Sequence, residues 1–456
     1  MGDYGRGRSL SNPIRDLAAR VLPLVRAMSG ESETIGHSAE GRPLVVHYCG
    51  NRGATLRIFI LAGQHGDESD GRDAALKYLA KFESRPPKLI HLAILIDGNP
   101  DGASAGKRRN ASDMDLNRDH ELLCAPETQA THSFVGRWHP HLIIDVHTYR
   151  AWRPELLQHD FVFAQDVMID VPTNPGVRLG WPAGTGPGLF DFVHHRMVEA
   201  EFRCDRYTLI RPSGVRHSTL DIVDARNMLS LRYGVPTVLL EGRRSSPDDP
   251  PIFTPPHLVL LRSIEAVVEW ASANAIAILQ QPATRSYGHD LIPMQCHYAD
   301  SSPSTRYMEM QSATRGDIQV VGIPGPYLPF VKTTRTICAP RAYAVPHRFE
   351  NLLEILARHH FETGAPDQFR HATAEFYRTA CPACLPESPS PMVTNVKNLE
   401  RIRLNPEEFI LFPTDQPGGR ALSLILEPDS QFGAHRFPAL NLDQQPTILY
   451  PLARVI

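Results

Sequence analysis

Continuous apolar runs alternate with runs of helical spacing through the first three-fifths of the chain. TLRIFILAG from Thr55, LIHLAILID from Leu89, HPHLIIDVHT from His139 and VPTVLLEG from Val235 are short apolar blocks, each ending at a Gly, Asp or Thr. Such blocks read as strands buried on both faces, the parallel-sheet kind. Between them, DGRDAALKYLAKF places Ala75, Leu76, Leu79 and Phe82 at helical spacing, and Ser263–Leu279 reads as an amphipathic helix carrying Glu265 and Glu269. The pattern predicts an α/β fold: a mixed, mostly parallel twisted sheet flanked by helices on both faces. Residues 1 to about 45 read as a helix and a lead-in loop.

The texture changes near residues 285–300, where loop-rich stretches begin. The expected division is a catalytic domain over 1–290 and a smaller C-terminal accessory module over 300–456, α+β or β-rich. In that module Phe349, Leu352, Leu353, Ile355 and Leu356 mark one helix, and the segment from Glu407 to Ser430 reads as two strands around a Pro-Gly turn.

Composition narrows the function. A formal net charge of −3 gives no global field for nucleic acid. No apolar run is long enough to span a membrane, and the N-terminal apolar stretch is cut by Arg15, Arg20 and Arg26, so neither a membrane partner nor a secretory signal is expected. Seven scattered cysteines suit a reducing cytoplasm. Cys381 and Cys384 form the one close pair, but no second Cys or His pair follows, and loop thiols are the expected reading. The 21 histidines permit a metal site without establishing one.

His65 and Glu68 follow the first apolar strand, and His147 ends the third. Strand ends opening into loops are where an open α/β sheet presents its ligands. Two histidines and a glutamate would hold Zn²⁺ and leave its fourth position to water, the catalytic pattern. Between them Arg108, Arg109 and Arg118 offer guanidinium forks beside Asn117; any one of them alone also reads as a solvated surface charge. Glu241 closes the fourth strand. A carboxylate there is either a solvent-facing strand end or a general base beside zinc-activated water.

Taken in order, GQHGDE, NPDG, R-x-N, DLNRD, DVHT and VPTVLLEG resemble the carboxypeptidase A-type zinc metallocarboxypeptidases, closest in spacing to bacterial members acting on cell-wall peptides. The resemblance covers roughly residues 35 to 285, and the tail is similar to an accessory region appended to some bacterial members. It implies zinc on His65, Glu68 and His147, and Glu241 as base and then acid. It implies that Asn117 and Arg118 hold the substrate's terminal carboxylate, that Arg108 (or Arg109) polarises the scissile carbonyl, and that Asp115 orients His65. By offset from Glu241, Arg226 falls where this family often places the residue at the base of the side-chain pocket. That position favours an acidic C-terminal residue; a salt bridge to Asp221 or Asp224 is the other reading. The implied partner is a peptide or peptide-like substrate with a free C-terminal carboxylate. Two departures stand out. Asp67 sits where animal digestive members have an arginine, and no tyrosine lies about twenty residues before Glu241 to serve as the family's lid, His217 being the replacement on offer. The alternative enzyme class is an N-acyl-amino-acid amidohydrolase of the aspartoacylase or succinylglutamate desuccinylase type. A degenerate zinc-binding scaffold is the non-enzymatic alternative.

Overall fold

The computed structural model describes residues 31–84, 89–178, 188–244, 254–280, 291–365 apart from 301 and 303, 373–378, 399–442 apart from 404, 406 and 441, and 449–455. The expected N-terminal helix and the Cys381/Cys384 pair lie outside them.

Eight strands build the main sheet: β1 (Ser32–His37), β2 (Pro43–Gly50), β3 (Leu56–Ala62), β4 (Ile90–Leu95), β5 (Leu142–Tyr149), β6 (Val167–Asp170), β7 (Cys204–Arg206) and β8 (Thr237–Arg243). Their spatial order is β1-β2-β4-β3-β5-β8-β6-β7. The four central strands β4, β3, β5 and β8 run parallel. β2 joins antiparallel on one side and β6 on the other, which makes the sheet mixed. β1 and β2 overlap the stretch expected to be helix and lead-in. The reason is visible in β1, an edge strand reading SETIGH, whose pattern is too polar to signal a strand.

The unbroken apolar runs follow from burial on both faces. Ile58 and Ile60 of β3 pack under α1 (Ser69–Ser84) and under α4 (Pro256–Ala273), with Tyr78, Leu79, Leu260 and Ile264. Phe59 and Leu61 point the other way, onto Phe134 of α2 (Pro126–Trp138) and Leu229 of α3 (Ala225–Tyr233). Each such side chain removed from water contributes roughly 1.5–3 kcal/mol. α4 begins seven residues before the expected Ser263, at Pro256, and is broken at Asn274. No helix among the described residues is long and apolar enough to cross a membrane.

Past residue 290 the chain builds an antiparallel five-stranded sheet from Ala342–Pro346, Thr373–Arg378, Leu399–Arg403, Phe409–Pro413 and Leu449–Val455. The expected boundary is a change of sheet without a break in packing. Tyr307–Ser312 pairs with Phe161–Phe163, and Tyr327–Leu328 pairs with Gly214–His217. Leu220, Met228 and Leu231 share one core with Tyr343, Leu422 and Leu424. The segment expected as two strands is one strand, Phe409–Pro413, followed by helix α5 (Gly419–Leu426). α5 is eight residues long and buried throughout, and an apolar run that short does not by itself tell helix from strand.

Candidate active site

The carboxyl ends of β3, β5 and β8 open onto one cleft. His65 and Glu68 lie in the loop after β3, His147 near the end of β5, and Glu241 near the end of β8. Across the parallel β5/β8 ladder Glu241 is the register partner of His147, so both side chains leave the sheet on the same face.

The loops are tied together by Asn99. Its side-chain oxygen accepts from Gly102 N at 2.9 Å, and its amide donates to Gln64 O and to Arg108 O, both at 3.2 Å. The helix Pro100–Ala105 thereby presses on the His65 loop. A Cβ on Gly66 would fall 2.0 Å from the backbone carbon of Gly102, so that position has room for glycine alone.

His65 Nδ1 stands 2.8 Å from Glu68 Oε1 and 3.1 Å from His147 Nδ1, which is 3.3 Å from Glu68 Oε2. Thr148 N donates to Glu68 Oε2 at 2.8 Å and fixes the carboxylate. The opposite ring nitrogens meet carboxylates: His65 Nε2 lies 3.1 Å from Asp115 Oδ1, and His147 Nε2 lies 2.9 Å from Asp145 Oδ1. Protons on both Nε2 atoms leave two Nδ1 lone pairs and a carboxylate converging with no proton of their own to share, the Arg108 guanidinium being the donor beside them. Two ligands at ~2.0–2.1 Å on a tetrahedral zinc sit roughly 3.3 Å apart, which matches this spacing. All three residues are buried, and their donor atoms lie within 4.8 Å of one another. Burial disfavours charge on both rings, yet Glu68 and Asp115 raise the His65 pKa, and Asp145 and Glu68 raise that of His147. The pocket calls for positive charge, and the donor set fits Zn²⁺.

Glu241 has no hydrogen-bond or ion-pair partner among the described residues, and it lines the cleft. Burial, together with the Glu68 and Asp145 carboxylates, pushes it up to about 7 against the pull of His147 and His65. That is the range in which a carboxylate both takes and returns a proton near neutral pH.

Arg108 Nε donates to Asp115 Oδ2 at 3.0 Å, and its Nη1 lies 3.2 Å from His65 Nδ1. Arg109 turns away to Asp113 O at 2.6 Å, so of the two arginines Arg108 is the one at the cluster. Arg118 lines the cleft, held by Asn117 O at 2.6 Å. Asn117 Oδ1 accepts from Ala225 N, the first residue of α3, at 2.9 Å. Arg226 is buried beside it. It donates to Ser218 Oγ at 2.7 Å, and Asp224 Oδ2 lies at a long 3.4 Å. Asp221, its other expected partner, is instead 3.0 Å from Arg436 of the C-terminal part.

The two departures acquire spatial answers. Asp67 pairs with Arg244 at 2.7 Å, so an arginine reaches the H-x-x-E loop from the end of β8. His217 does not line the cleft as a lid would. Its ring nitrogens are used by Tyr207 O at 3.1 Å and Tyr327 Oη at 2.7 Å, which makes it a strut of the wall. Tyr207 lines the cleft, and burial together with nearby Glu241 raises its pKa.

Residues not anticipated from sequence stand behind the site. Asp145 shares a face with His147, two residues on in the same strand; the D-x-H spacing was the available signal. Gln64 Nε2 donates to Asp145 Oδ1 at 2.7 Å, and its Oε1 accepts from His120 Nε2 at 2.8 Å. His120 Nδ1 lies 3.0 Å from His132 Nε2, and His132 Nδ1 lies 3.2 Å from Tyr233 Oη. With each neutral ring donating once and accepting once, one buried chain of polar contacts runs from Tyr233 through both rings and Gln64 to Asp145 Oδ1, and Asp145 Oδ2 is left without a partner.

Residues 29–153 match the zinc carboxypeptidase family model. This segment is similar to the zinc carboxypeptidases. It spans His65, Glu68, Arg108, Asp115, Asn117, Arg118 and His147, and stops short of Arg226 and Glu241. "Carboxypeptidase 2" of Trichophyton rubrum is 28% identical over 131 residues, 27% of this chain and 24% of that protein. "Murein peptide amidase A" of Vibrio campbellii is 32% identical over 109 residues, 23% of this chain and 40% of that protein. The chain thus spans about a quarter of the length of the curated carboxypeptidases it matches. Among solved structures, a metallo-carboxypeptidase from Burkholderia cenocepacia aligns over 57% of this chain and 69% of its own, with 17% identity and a TM-score of 0.43.

Proposed function

We propose that this chain is a zinc-dependent metallocarboxypeptidase that hydrolyses the C-terminal peptide or amide bond of a peptide-like substrate, with an acidic terminal residue preferred. The observation that carries this reading is the Glu241–His147 register pair. It puts an unpartnered carboxylate, held near neutral pKa, beside a buried His65–Glu68–His147 cluster built for zinc.

Zinc on that cluster would supply Lewis acidity and bring the pKa of water toward ~7. The chain's own groups do the rest. Glu241 takes the proton of the attacking water and returns it to the departing amine. Arg108, anchored on Asp115, offers a guanidinium to the scissile carbonyl as charge grows on its oxygen. Asn117 and Arg118 hold the terminal carboxylate, and Arg226 receives an acidic side chain, with Ser218 fixing its fork. Gln64 and Asp145 keep His147 in one tautomer. The thiols Cys124, Cys204, Cys296 and Cys338, in no disulfide among the described residues, suit a cytoplasmic location.

The test is hydrolysis of matched peptides ending in Glu, Leu and Lys, with and without chelator, followed by mass spectrometry. The expected result is loss of one terminal residue, fastest for Glu and stopped by chelator. Equal rates for all three would remove Arg226 from the pocket, and cleavage of an N-acetyl amino acid but no peptide would move the chain to the amidohydrolases.

A further inference from the structure

The cleft of about 490 Å³ is lined by more arginine than its chemistry uses. Arg108, Arg226 and Arg244 are paired with Asp115, Asp224 and Asp67. Arg118, Arg150, Arg153, Arg211 and Arg216 also line it, and none of these five has a carboxylate partner among the described residues. Local groups hold them instead. Arg153 Nη1 donates to Trp152 O at 3.2 Å and Arg211 Nη1 to Ile210 O at 3.3 Å. Arg216 stacks on Tyr298 of the C-terminal part, its guanidinium 4.4 Å from the ring centroid, and Arg150 lies over Trp152 at 5.9 Å. Arg216 Nε is buried with no hydrogen-bond partner.

The acids of the same cleft are spent. Glu68 and Asp145 hold the histidine cluster, Asp221 is taken by Arg436, and Glu241 is the proton carrier proposed above. Guanidinium groups crowded in one concave surface repel one another and focus a positive field until an anion arrives. Their planar forks match carboxylates bidentately.

We infer that the substrate is an acidic peptide carrying further carboxylates upstream of its terminal residue, bound by Arg150, Arg153, Arg211 and Arg216. This rests on the carboxypeptidase reading, which already employs Arg118 and Arg226 for the two carboxylates of an acidic terminal residue. The remaining four guanidiniums are surplus to that residue. Tyr298 lies behind the cleft lining and stacks on Arg216, so the C-terminal part positions one of these guanidiniums and through it has a role in choosing the substrate.

The experiment compares two peptides with the same terminal glutamate, one with Glu-Glu before it and one with Gln-Gln. The Glu-Glu peptide should show a KM at least tenfold lower, with the advantage shrinking as salt is raised. Arg211→Gln/Arg216→Gln and Arg150→Gln/Arg153→Gln should each bring the ratio toward one. Inorganic phosphate serves as a competitor. Inhibition by phosphate at lower concentration than by a non-cleavable acidic peptide would assign the arginines to a phosphoryl group and overturn the inference, as would equal KM values. If neither peptide is cleaved, the hydrolase reading fails on its own. Calorimetric binding of the same two peptides then still decides the arginines: preference for Glu-Glu upholds the inference, and equal affinity overturns it.

Discussion

Glu241 and His147 face each other as register partners across two adjacent parallel strands. The sheet therefore sets their spacing, and no loop rearrangement is needed to bring the proposed proton carrier beside the proposed metal ligand. Loops after other strands supply the rest of the site, but this pair is fixed by backbone hydrogen bonding. Sites built on rigid elements hold their geometry better than sites carried by loops alone.

In the proposed zinc site, the carboxylates behind the histidines are expected to set the metal affinity. Asp145→Asn and Asp115→Asn each remove the charge opposite a ligating ring, at 2.9 Å and 3.1 Å respectively. Each is expected to weaken zinc by ~10- to 100-fold while leaving the three ligands in place. Chelator competition measures this. Unchanged affinity in both variants would remove these carboxylates from the zinc site.

Acid should destabilise this protein above the usual carboxylate range. Burial lowers the pKa of His120 to about 4 and of His359 to about 3, and lowers that of His132 well below its ordinary value. The unfolded chain protonates these rings near ~6.5. Between that pH and the folded values the unfolded state binds more protons, so stability is full above ~6.5 and falls as the pH drops toward about 4. The loss from His120 alone is on the order of 3 kcal/mol. Urea denaturation at pH 7.5 and at pH 5 measures it, and His120→Gln should flatten the dependence. A wild-type profile without a drop in this window would show that the rings are charged or solvated.

Arg436 ties the C-terminal part to the cleft wall. It reaches Asp221 at 3.0 Å and Glu121 at 2.5 Å, and Glu121 is fully buried with its pKa pushed up to about 8 by burial. Arg436→Met leaves that carboxyl without its cation and should cost about 3–5 kcal/mol if Glu121 stays charged, less if it takes up a proton. Arg436→Met combined with Glu121→Gln should recover most of the loss. Thermal denaturation of the two variants checks this; equal instability in both would place the effect outside the ion pair.

The central sheet was legible because its strands are buried on both faces and read as unbroken apolar runs, and the chemistry-bearing residues sit at the ends of those runs. The edge strand β1 was not legible, being half polar, and α5 was not, being only two turns long. The excess of histidine found its reason only in three dimensions. His120, His132 and His359 lie 12 and 227 residues apart in sequence, and no spacing rule connects them. The same holds for Arg244 beside Asp67 and Arg436 beside Asp221, pairs made by topology. A change of texture near residues 285–300 suggested a boundary there, but strand pairing across it, as between Phe161–Phe163 and Tyr307–Ser312, depends on hydrogen bonds that composition does not encode.

The most direct test is zinc content and peptide turnover measured together on wild type and Glu241→Gln. The wild type is expected to carry one zinc per chain and to release the terminal residue of an acidic peptide. Glu241→Gln should retain the zinc and lose at least ~10²-fold in kcat. Near wild-type turnover in Glu241→Gln, or turnover that survives complete removal of zinc, would contradict the account.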